Sequence, residues 1–258
     1  MNKEEYKVTI LGSGTSSGVP MIACKCEVCT SQNLKDKRLR SAVLVQTKDK
    51  NIVIDTGPDF RMQMLTANVT HLEDVLITHY HKDHLAGLDD VRAFNMINKS
   101  PITVYAEENV ISVIKREYSY AFSDIKFTSL PQIELQIIDT KPFSINSIEI
   151  VPIRLLHYKL PILGYRIGDF AYLTDTNFIP ESEFSKLNNL KVLVIDALRK
   201  KEHISHFNLE QVIEVIEKIA PQKAYLTHIS HQMGLHDVVN AELPDNIELA
   251  YDGLQFIV

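Results

Sequence analysis

The chain has 258 residues, of which 45% are hydrophobic and 23% charged, a globular composition that excludes a disordered, collagen-like or low-complexity protein. Its 27 Lys and Arg residues against 33 Asp and Glu residues give a net charge of −6, so it lacks the basic surface of a general nucleic-acid binder. No apolar run approaches the ~18 residues of a membrane span. The charged N-terminal segment also lacks the core of a signal peptide, so we expect a cytoplasmic protein that does not bind a membrane.

Short β-branched runs bounded by turn residues predict most of the strands. The predicted strands are Lys7–Leu11, Ala42–Gln46, Asn51–Ile54, Val75–Thr78, Ile102–Tyr105, Ile148–Ile153, Tyr165–Ile167, Ala171–Thr174, Val192–Ile195 and Ala224–Thr227. Helical spacing predicts three helices, Leu85–Ile97, Val110–Glu117 and Leu209–Ala220, the last capped by Asn208 with Gln211 as its return partner. The secondary structure of the segment 119–143 is ambiguous from its sequence, and we interpret it as a mixture of strand and irregular structure.

The fold class that suits this pattern is α/β. We find no linker, shift in composition or internal repeat, so we predict a single domain over residues 1–258. Two mixed sheets with helices on both outer faces, an αββα sandwich, would accommodate these elements.

An odd number of cysteines lies within six residues, which excludes a disulfide framework. Cys24, Cys26 and Cys29 have the spacing C-x-C-x₂-C, and three thiolates so close together are typical of a structural zinc site. The fourth ligand is missing locally, and His231 is our candidate for it. Three thiols without a metal are the alternative.

The strongest chemical signal is a histidine-rich segment directly after the apolar run 75–77. His79, His81, Asp83 and His84 offer four metal-type ligands at H-x-H-x-D-H spacing, a donor set that suits zinc, manganese or iron. Further potential ligands follow later strands: His157, Asp175 and His228. Because each comes at a strand end, we expect them to converge at one edge of the sheets.

Together these motifs resemble the metallo-β-lactamase superfamily, from about Lys7 to His231. The resemblance implies an αββα fold and a binuclear site. One metal would be held by His79, His81 and His157, and the other by Asp83, His84 and His228. Asp175 would bridge the two metals, and Asp55, in the segment 52–57, would support the site structurally.

A glycine loop, Gly12–Gly18, and the cysteine cluster resemble one branch of that superfamily, the phosphodiesterases of the carbon–phosphorus lyase pathway. That resemblance implies a side zinc at about residues 24–29 and a general acid at His206. The predicted enzyme is a two-metal phosphodiesterase with Zn or Mn in the active site. Its substrate would be a small phosphodiester, cyclic ones included, attacked by a bridging hydroxide with Asp83 among the catalytic groups.

Several alternatives stay open. The glycine loop matches neither the dinucleotide-binding motif nor the P-loop motif, and it could form either a tight turn or a contact with phosphate. Asp196 and Arg199 could line the pocket, whereas His71, His203 and His236 are predicted surface residues without a role.

A tRNA 3′-processing nuclease and a thioester or lactam hydrolase are rival enzymes, and a non-enzymatic metal sensor is a rival of another class. The negative charge and the absence of a basic arm argue against a nucleic-acid partner. The sequence is compatible with a homodimer and does not determine the oligomeric state.

Overall fold

Two seven-stranded β-sheets form the centre of the protein in a computed structural model, which describes residues 5–48, 50–123 and 129–258. The first sheet has the order β14-β1-β2-β3-β4-β5-β6. Its strands are β1 (Lys7–Gly12), β2 (Ala42–Gln46), β3 (Asn51–Ile54), β4 (Asp74–Leu76), β5 (Ile102–Ala106), β6 (Ile133–Ile137) and β14 (Gln255–Ile257).

The second sheet has the order β13-β12-β11-β10-β9-β8-β7. Its strands are β7 (Phe143–Ile145), β8 (Ile148–His157), β9 (Leu160–Ile167), β10 (Phe170–Leu173), β11 (Val192–Asp196), β12 (Lys223–Thr227) and β13 (Ile247–Leu249). Strands β3 to β6 run parallel in the first sheet, as do β10 to β13 in the second.

Helices connect the strands and cover the outer faces of the sheets. The α-helices are α1 (Glu27–Thr30), α2 (Phe60–Thr66), α3 (Lys82–Leu85), α4 (Arg92–Asn98), α5 (Glu108–Glu117), α6 (Leu209–Ile219) and α7 (His236–Asn240). Short 3₁₀ helices span Leu34–Asp36, Leu88–Val91, Ser119–Phe122 and Glu181–Leu187. In the part of the chain that is described, we find no helix long and apolar enough to cross a membrane.

The alternation of side chains along the strands explains the layers. In β11, Val192 and Val194 join the core between the two sheets, whereas Leu193 and Ile195 face the outer core beneath α6. Strand β2 divides in the same way between the central core and the core beneath α2, α4 and α5. Strands buried on both faces read as continuous apolar runs, as these do. The predicted αββα sandwich is confirmed.

The predicted helix Leu85–Ile97 is wrong, because the chain breaks there into α3, a 3₁₀ turn and α4. Gly87 lies at the break, where an added Cβ would stand 2.1 Å from the carbonyl oxygen of Gly57. Its backbone N–H donates to the carbonyl oxygen of Thr56 at 2.8 Å. Backbone packed this closely against backbone cannot continue a regular helix.

Other differences are smaller. The ambiguous segment 119–143 contains a 3₁₀ turn, β6 and the start of β7, with residues 124–128 outside the described residues. The short strands β13 and β14 carry no clear alternation and were not predicted. Helix α6 has the predicted capping box, in which Asn208 Oδ1 accepts from the N–H of Gln211 at 2.8 Å.

Candidate metal centres

The carboxyl ends of several strands meet at one edge of the sandwich, where three polar residues adopt a left-handed backbone. Asp55 follows β3 with φ +69°, Asp175 follows β10 with φ +56°, and His228 follows β12 with φ +57°. Non-glycine residues rarely take this conformation, and such strain concentrates at functional sites. At each of these strand ends the chain turns sharply beside a candidate ligand.

Four of the predicted ligands form one buried group around Asp175. His84 Nε2 lies 3.0 Å from Asp175 Oδ2 and 3.2 Å from Asp83 Oδ2. His228 Nδ1 lies 3.0 Å from the same Asp175 oxygen. One ligand atom from each of these four residues lies within 4.8 Å of the others, a spacing that a single cation can satisfy.

Asp55 stands behind this group and holds His84 in place. One carboxylate oxygen of Asp55 lies 2.7 Å from His84 Nδ1, and the other accepts the backbone N–H of Thr78 at 2.9 Å. Both side chains are fully buried. A carboxylate on the far nitrogen of a metal-ligating histidine fixes the orientation of the ring and leaves Nε2 free to face an ion.

The other three histidines form a second group directly beside the first. The His79 and His81 rings have centroids 4.6 Å apart, and the His157 centroid lies 5.7 Å from the first and 5.1 Å from the second. The His79 centroid is also 4.3 Å from that of His84, and His157 Nδ1 is 3.0 Å from the carbonyl oxygen of Ser205. The predicted ligands therefore lie together at one edge of the sandwich.

The donors in this cluster fit divalent cations. His79 Nε2 is buried without a hydrogen-bond partner among the described residues, which is costly unless an ion uses it. Burial lowers the pKa of His79 well below its usual value and that of His157 to about 4. Such histidines are neutral at physiological pH and offer the lone pair that metal binding requires.

The charges of the cluster also favour a bound cation. Burial alone would lower the pKa of His84, but the carboxylates of Asp175, Asp83 and Asp55 raise it well above the usual value. A proton on His84 thus supplies positive charge where the carboxylates converge. A divalent cation at the same place would supply more charge and release that proton.

His206 lies beside this cluster and is held by a buried carboxylate. His206 Nδ1 is 2.9 Å from Asp196 Oδ2, and Asp196 is fully buried. The His206 ring stacks on that of His228 with centroids 4.9 Å apart. One potential ligand atom from each of His206, His157 and Asp175 lies within 4.8 Å of the others. Burial opposes a charge on His206, but Asp196 raises the pKa of His206 to about 9.

Sequence reasoning missed Thr15 and Ser41, and it named Asp196 only as a residue that could line the pocket. Asp196 orients His206, while Thr15 Oγ1 lies 3.2 Å from His228 Nε2 and Ser41 Oγ lies 3.3 Å from its Nδ1. A single Asp, Thr or Ser near a strand end does not indicate its partner, so only the fold reveals these contacts. Arg199 lies on the surface, where it donates to the Gln232 side chain at 2.7 Å.

The prediction for one surface histidine is wrong. His236 is 2% exposed and its Nδ1 lies 3.2 Å from Arg38 Nη2. His203 is half-buried, with its ring centroid 5.1 Å from that of His206, and the His71 side chain is 47% exposed.

The glycine loop packs against backbone. A Cβ on Gly12 would stand 2.0 Å from the carbonyl oxygen of Arg40, and one on Gly14 would stand 2.8 Å from the Cβ of Arg38. The backbone N–H groups of Gly14 and Thr15 already donate to the carbonyl oxygens of Leu39 and Ile229. The glycines therefore permit close approach to the neighbouring segment, in accord with the tight-turn alternative.

The cysteines form a second group at the surface, together with His231. Cys24 Sγ and Cys26 Sγ lie 3.4 Å and 3.3 Å from His231 Nδ1, and all four ligand atoms, including Cys29 Sγ, lie within 4.8 Å of one another. A hydrogen bond from His231 lowers the pKa of Cys26 to about 6, whereas burial raises that of Cys29 to about 11. Three thiols and one imidazole match a closed tetrahedral zinc site.

The chain is similar to several known proteins. A family model described as "Beta-lactamase superfamily domain" matches residues 50–229. A solved structure of a "diphosphatase from the PhnP family" is 38% identical, with a TM-score of 0.93 over 98% of this chain and 97% of that one. The Zn²⁺-bound PqqB structure from Methylobacterium extorquens shares the fold, with 17% identity and a TM-score of 0.80 over 97% and 99% of the two chains.

A curated relative from Porphyromonas gingivalis bears the name octanoyltransferase. It is 41% identical over 252 residues, which is 96% of this chain and 51% of the relative. Coenzyme PQQ synthesis protein B from Bradyrhizobium diazoefficiens is 30% identical over 42% of this chain and 38% of its own length. The chain thus spans about half the length of the first of these relatives.

Proposed function

This chain belongs to the β-lactamase superfamily, with the fold and the His/Asp cluster of a metal-dependent hydrolase, and on that premise we propose that it hydrolyses a small phosphodiester. The observation that carries the proposal is His206, held by Asp196 at 2.9 Å next to Asp175. The ligand atoms of Asp175 group with those of Asp83, His84 and His228 and, separately, with those of His157 and His206. Phosphoester cleavage needs both charge stabilisation at phosphorus and a proton for the departing oxygen.

The residues assigned to the ions follow from their grouping. His79, His81 and His157 would hold one divalent ion, Asp83, His84 and His228 would hold the other, and Asp175 would contact both. Imidazole and carboxylate ligands suit zinc and manganese alike, so we propose either ion for this centre. Two such ions would act as Lewis acids on the phosphoryl group and supply a nucleophile from water at neutral pH.

His206 would protonate the leaving group. Its Nδ1 faces Asp196, so the other ring nitrogen is the one that can carry a proton toward the substrate. Asp196 raises the pKa of His206, which keeps that proton in place until the phosphorus–oxygen bond breaks. A general acid in this position typically contributes ~10²–10⁴-fold to the rate.

The cysteine group would hold a structural zinc. Its fourth donor, His231, comes three residues after the proposed ligand His228, on the same loop. A closed site of this kind contributes folding energy and leaves no position open for substrate. We propose that it fixes this loop rather than taking part in catalysis.

The proposed substrate is a small molecule. The net charge of −6 works against the phosphate contacts that give nucleic-acid binding most of its affinity. The similarity to a PhnP-family diphosphatase adds small phosphoanhydrides to the substrates to be tried. Esters and lactams, cleaved by acyl transfer, are the competing class.

A substrate panel tests the proposal directly. Protein freed of metal and then supplied with Mn²⁺ or Zn²⁺ is assayed on bis-p-nitrophenyl phosphate, an alkyl phosphodiester, a nucleoside diphosphate, nitrocefin and a thioester. We expect metal-dependent cleavage of the diesters above that of the acyl substrates. Preference for nitrocefin or the thioester would contradict the proposal.

A further inference from the structure

A buried arginine, Arg38, joins the glycine loop to the C-terminal part of the chain. Its guanidinium donates to Ser13 Oγ at 2.8 Å and to the carbonyl oxygen of Ala250, and it lies 3.2 Å from His236 Nδ1. The residue is 4% exposed. Burying a cation is strongly unfavourable unless its partners are well placed, so this junction has little freedom to rearrange.

Asp252 holds the same serine from the other side. One Asp252 oxygen accepts both the backbone N–H and the hydroxyl of Ser13, each at 2.8 Å. The other oxygen accepts the N–H of Leu39 at 2.6 Å, next to the buried arginine. Ser13 is therefore held at its backbone and its side chain by a carboxylate and a guanidinium.

From Ser13 the contacts lead to a candidate metal ligand. The carbonyl oxygen of Ser13 accepts the N–H of Ile229 at 2.9 Å, and the N–H of Thr15 donates to the carbonyl oxygen of Ile229 at 3.1 Å. The Thr15 hydroxyl then lies 3.2 Å from His228 Nε2, while Nδ1 faces Asp175 at 3.0 Å. The glycine loop thus forms a backing for the His228 ring.

We propose that Asp252, through Ser13 and Thr15, is a positioning residue that sets the affinity of the ion held by Asp83, His84 and His228. Contacts behind a ligating histidine fix the orientation of its ring, and their loss typically weakens metal binding about 10–100-fold. The inference rests on the ligands named in the proposed function. Asp252 is not one of those ligands; it is a carboxylate close to the C-terminal strand that acts on them through other residues.

A purely structural role would give a different result. If Asp252 only stabilised the fold, its loss would lower the melting temperature and leave metal affinity unchanged once the protein is folded. Metal affinity measured well below the melting temperature therefore separates the two roles. Mn²⁺ is a suitable probe because it prefers nitrogen and oxygen ligands to the thiolates of the cysteine group.

The experiment titrates Mn²⁺ into metal-free protein and follows the free ion by electron paramagnetic resonance. In the wild-type protein we expect two equivalents to bind. In Asp252→Ala and in the milder Ser13→Ala, one of the two Mn²⁺ ions should bind about 10–100-fold more weakly, while the affinity for the other changes little. Thr15→Val removes the hydroxyl at His228 and leaves Asp252 and Arg38 intact, and it should weaken the binding of the same ion.

Asn95→Ala is the matched control. Asn95 also makes three side-chain hydrogen bonds, to Ser100 and Gln132, on α4 over the outer face of the first sheet. It should lower the melting temperature and leave both Mn²⁺ affinities as in the wild type. Unchanged affinities in Asp252→Ala and Ser13→Ala, equal weakening in Asn95→Ala, or fewer than two equivalents in the wild type would each overturn the inference. Because Mn²⁺ uptake needs no substrate, failure to cleave phosphodiesters would overturn only the proposed function.

Discussion

The two candidate metal centres are built in opposite ways, although one loop contributes to both. The His/Asp centre draws its ligands from positions between 79 and 228, and most of them are buried at the ends of strands from both sheets. The cysteine centre takes three of its ligands from residues 24–29, near the surface. His231 alone is distant in sequence from the other three.

This difference separates a site that depends on the whole fold from one that a short loop nearly completes. The His/Asp centre can form only when both sheets are assembled, because His79 and Asp175 belong to different sheets. The loop that carries His228 and His231 is the physical link between the centres. Damage to the cysteine centre should therefore reach the other centre only through this loop, and weakly.

The largest effect should come from removing the shared carboxylate, Asp175. In Asp175→Ala both proposed ions would lose a ligand, and the negative charge proposed to lie between them would be gone. We expect phosphodiesterase activity to fall on the order of 10⁴-fold or more, since each ion contributes several kcal/mol of transition-state stabilisation. Circular dichroism should still report a folded chain.

The control for this variant is Asp139→Ala, which removes an exposed carboxylate that pairs with Lys141 and belongs to neither proposed ligand set. It should keep wild-type turnover on bis-p-nitrophenyl phosphate. Near wild-type turnover of Asp175→Ala in metal-replete buffer would show that Asp175 is not the shared ligand.

His206→Ala should have the next largest effect, and that effect should depend on the leaving group. A departing alkoxide is a strong base that needs a proton, whereas p-nitrophenolate leaves without one. We expect a loss of ~10²–10⁴-fold on an alkyl phosphodiester and a much smaller loss on bis-p-nitrophenyl phosphate, with the metal content unchanged. Equal losses on the two substrates would exclude His206 as the acid, and His71→Ala, an exposed histidine, serves as the control.

The two centres also differ in how far sequence reasoning could reach. The cysteine group and the segment 79–84 are local patterns whose spacing alone indicates metal binding. His157, Asp175 and His228 are single residues at strand ends. Their positions predict that they converge, but a family resemblance was needed to assign each of them to an ion. Asp196 was predicted only as a residue that could line the pocket, and Thr15 and Ser41 had no pattern at all, because these contacts arise only from segments that meet in three dimensions.

The fold shows the same limit. Continuous apolar runs such as β2 and β11 are readily predicted as strands, since both of their faces are buried. The break at Gly87 could not be predicted from the apolar spacing of 85–97, because its cause is the distant backbone of Gly57. Buried His236 was missed for a similar reason, since its partner Arg38 lies on another segment.

Cys26→Ser tests the independence of the two centres. Removing one of four ligands from a closed site should release about one zinc per chain, measured by elemental analysis. The active-site ions should remain, and activity should fall by no more than about tenfold, as expected for an effect transmitted through His231 and its loop. Unchanged zinc content would contradict the structural site, and complete loss of active-site metal would contradict the weak coupling.

The smallest effect concerns His236, which is buried against Arg38 and whose pKa is lowered by burial and by Arg38 to about 4. A depressed histidine pKa gives stability that is complete above the unfolded value of about 6.5 and is lost as the pH falls toward the folded value. His236→Gln keeps an acceptor for Arg38 and cannot take up a proton. Between pH 7 and pH 5, metal-free His236→Gln should therefore lose about 2 kcal/mol less unfolding free energy than the metal-free wild type, measured by urea denaturation. Asp252, whose pKa burial raises to about 6, works in the opposite direction in both proteins, so only the difference between them isolates the histidine. Identical pH dependence in the two proteins would mean that His236 is protonated as readily in the folded chain as in the unfolded one.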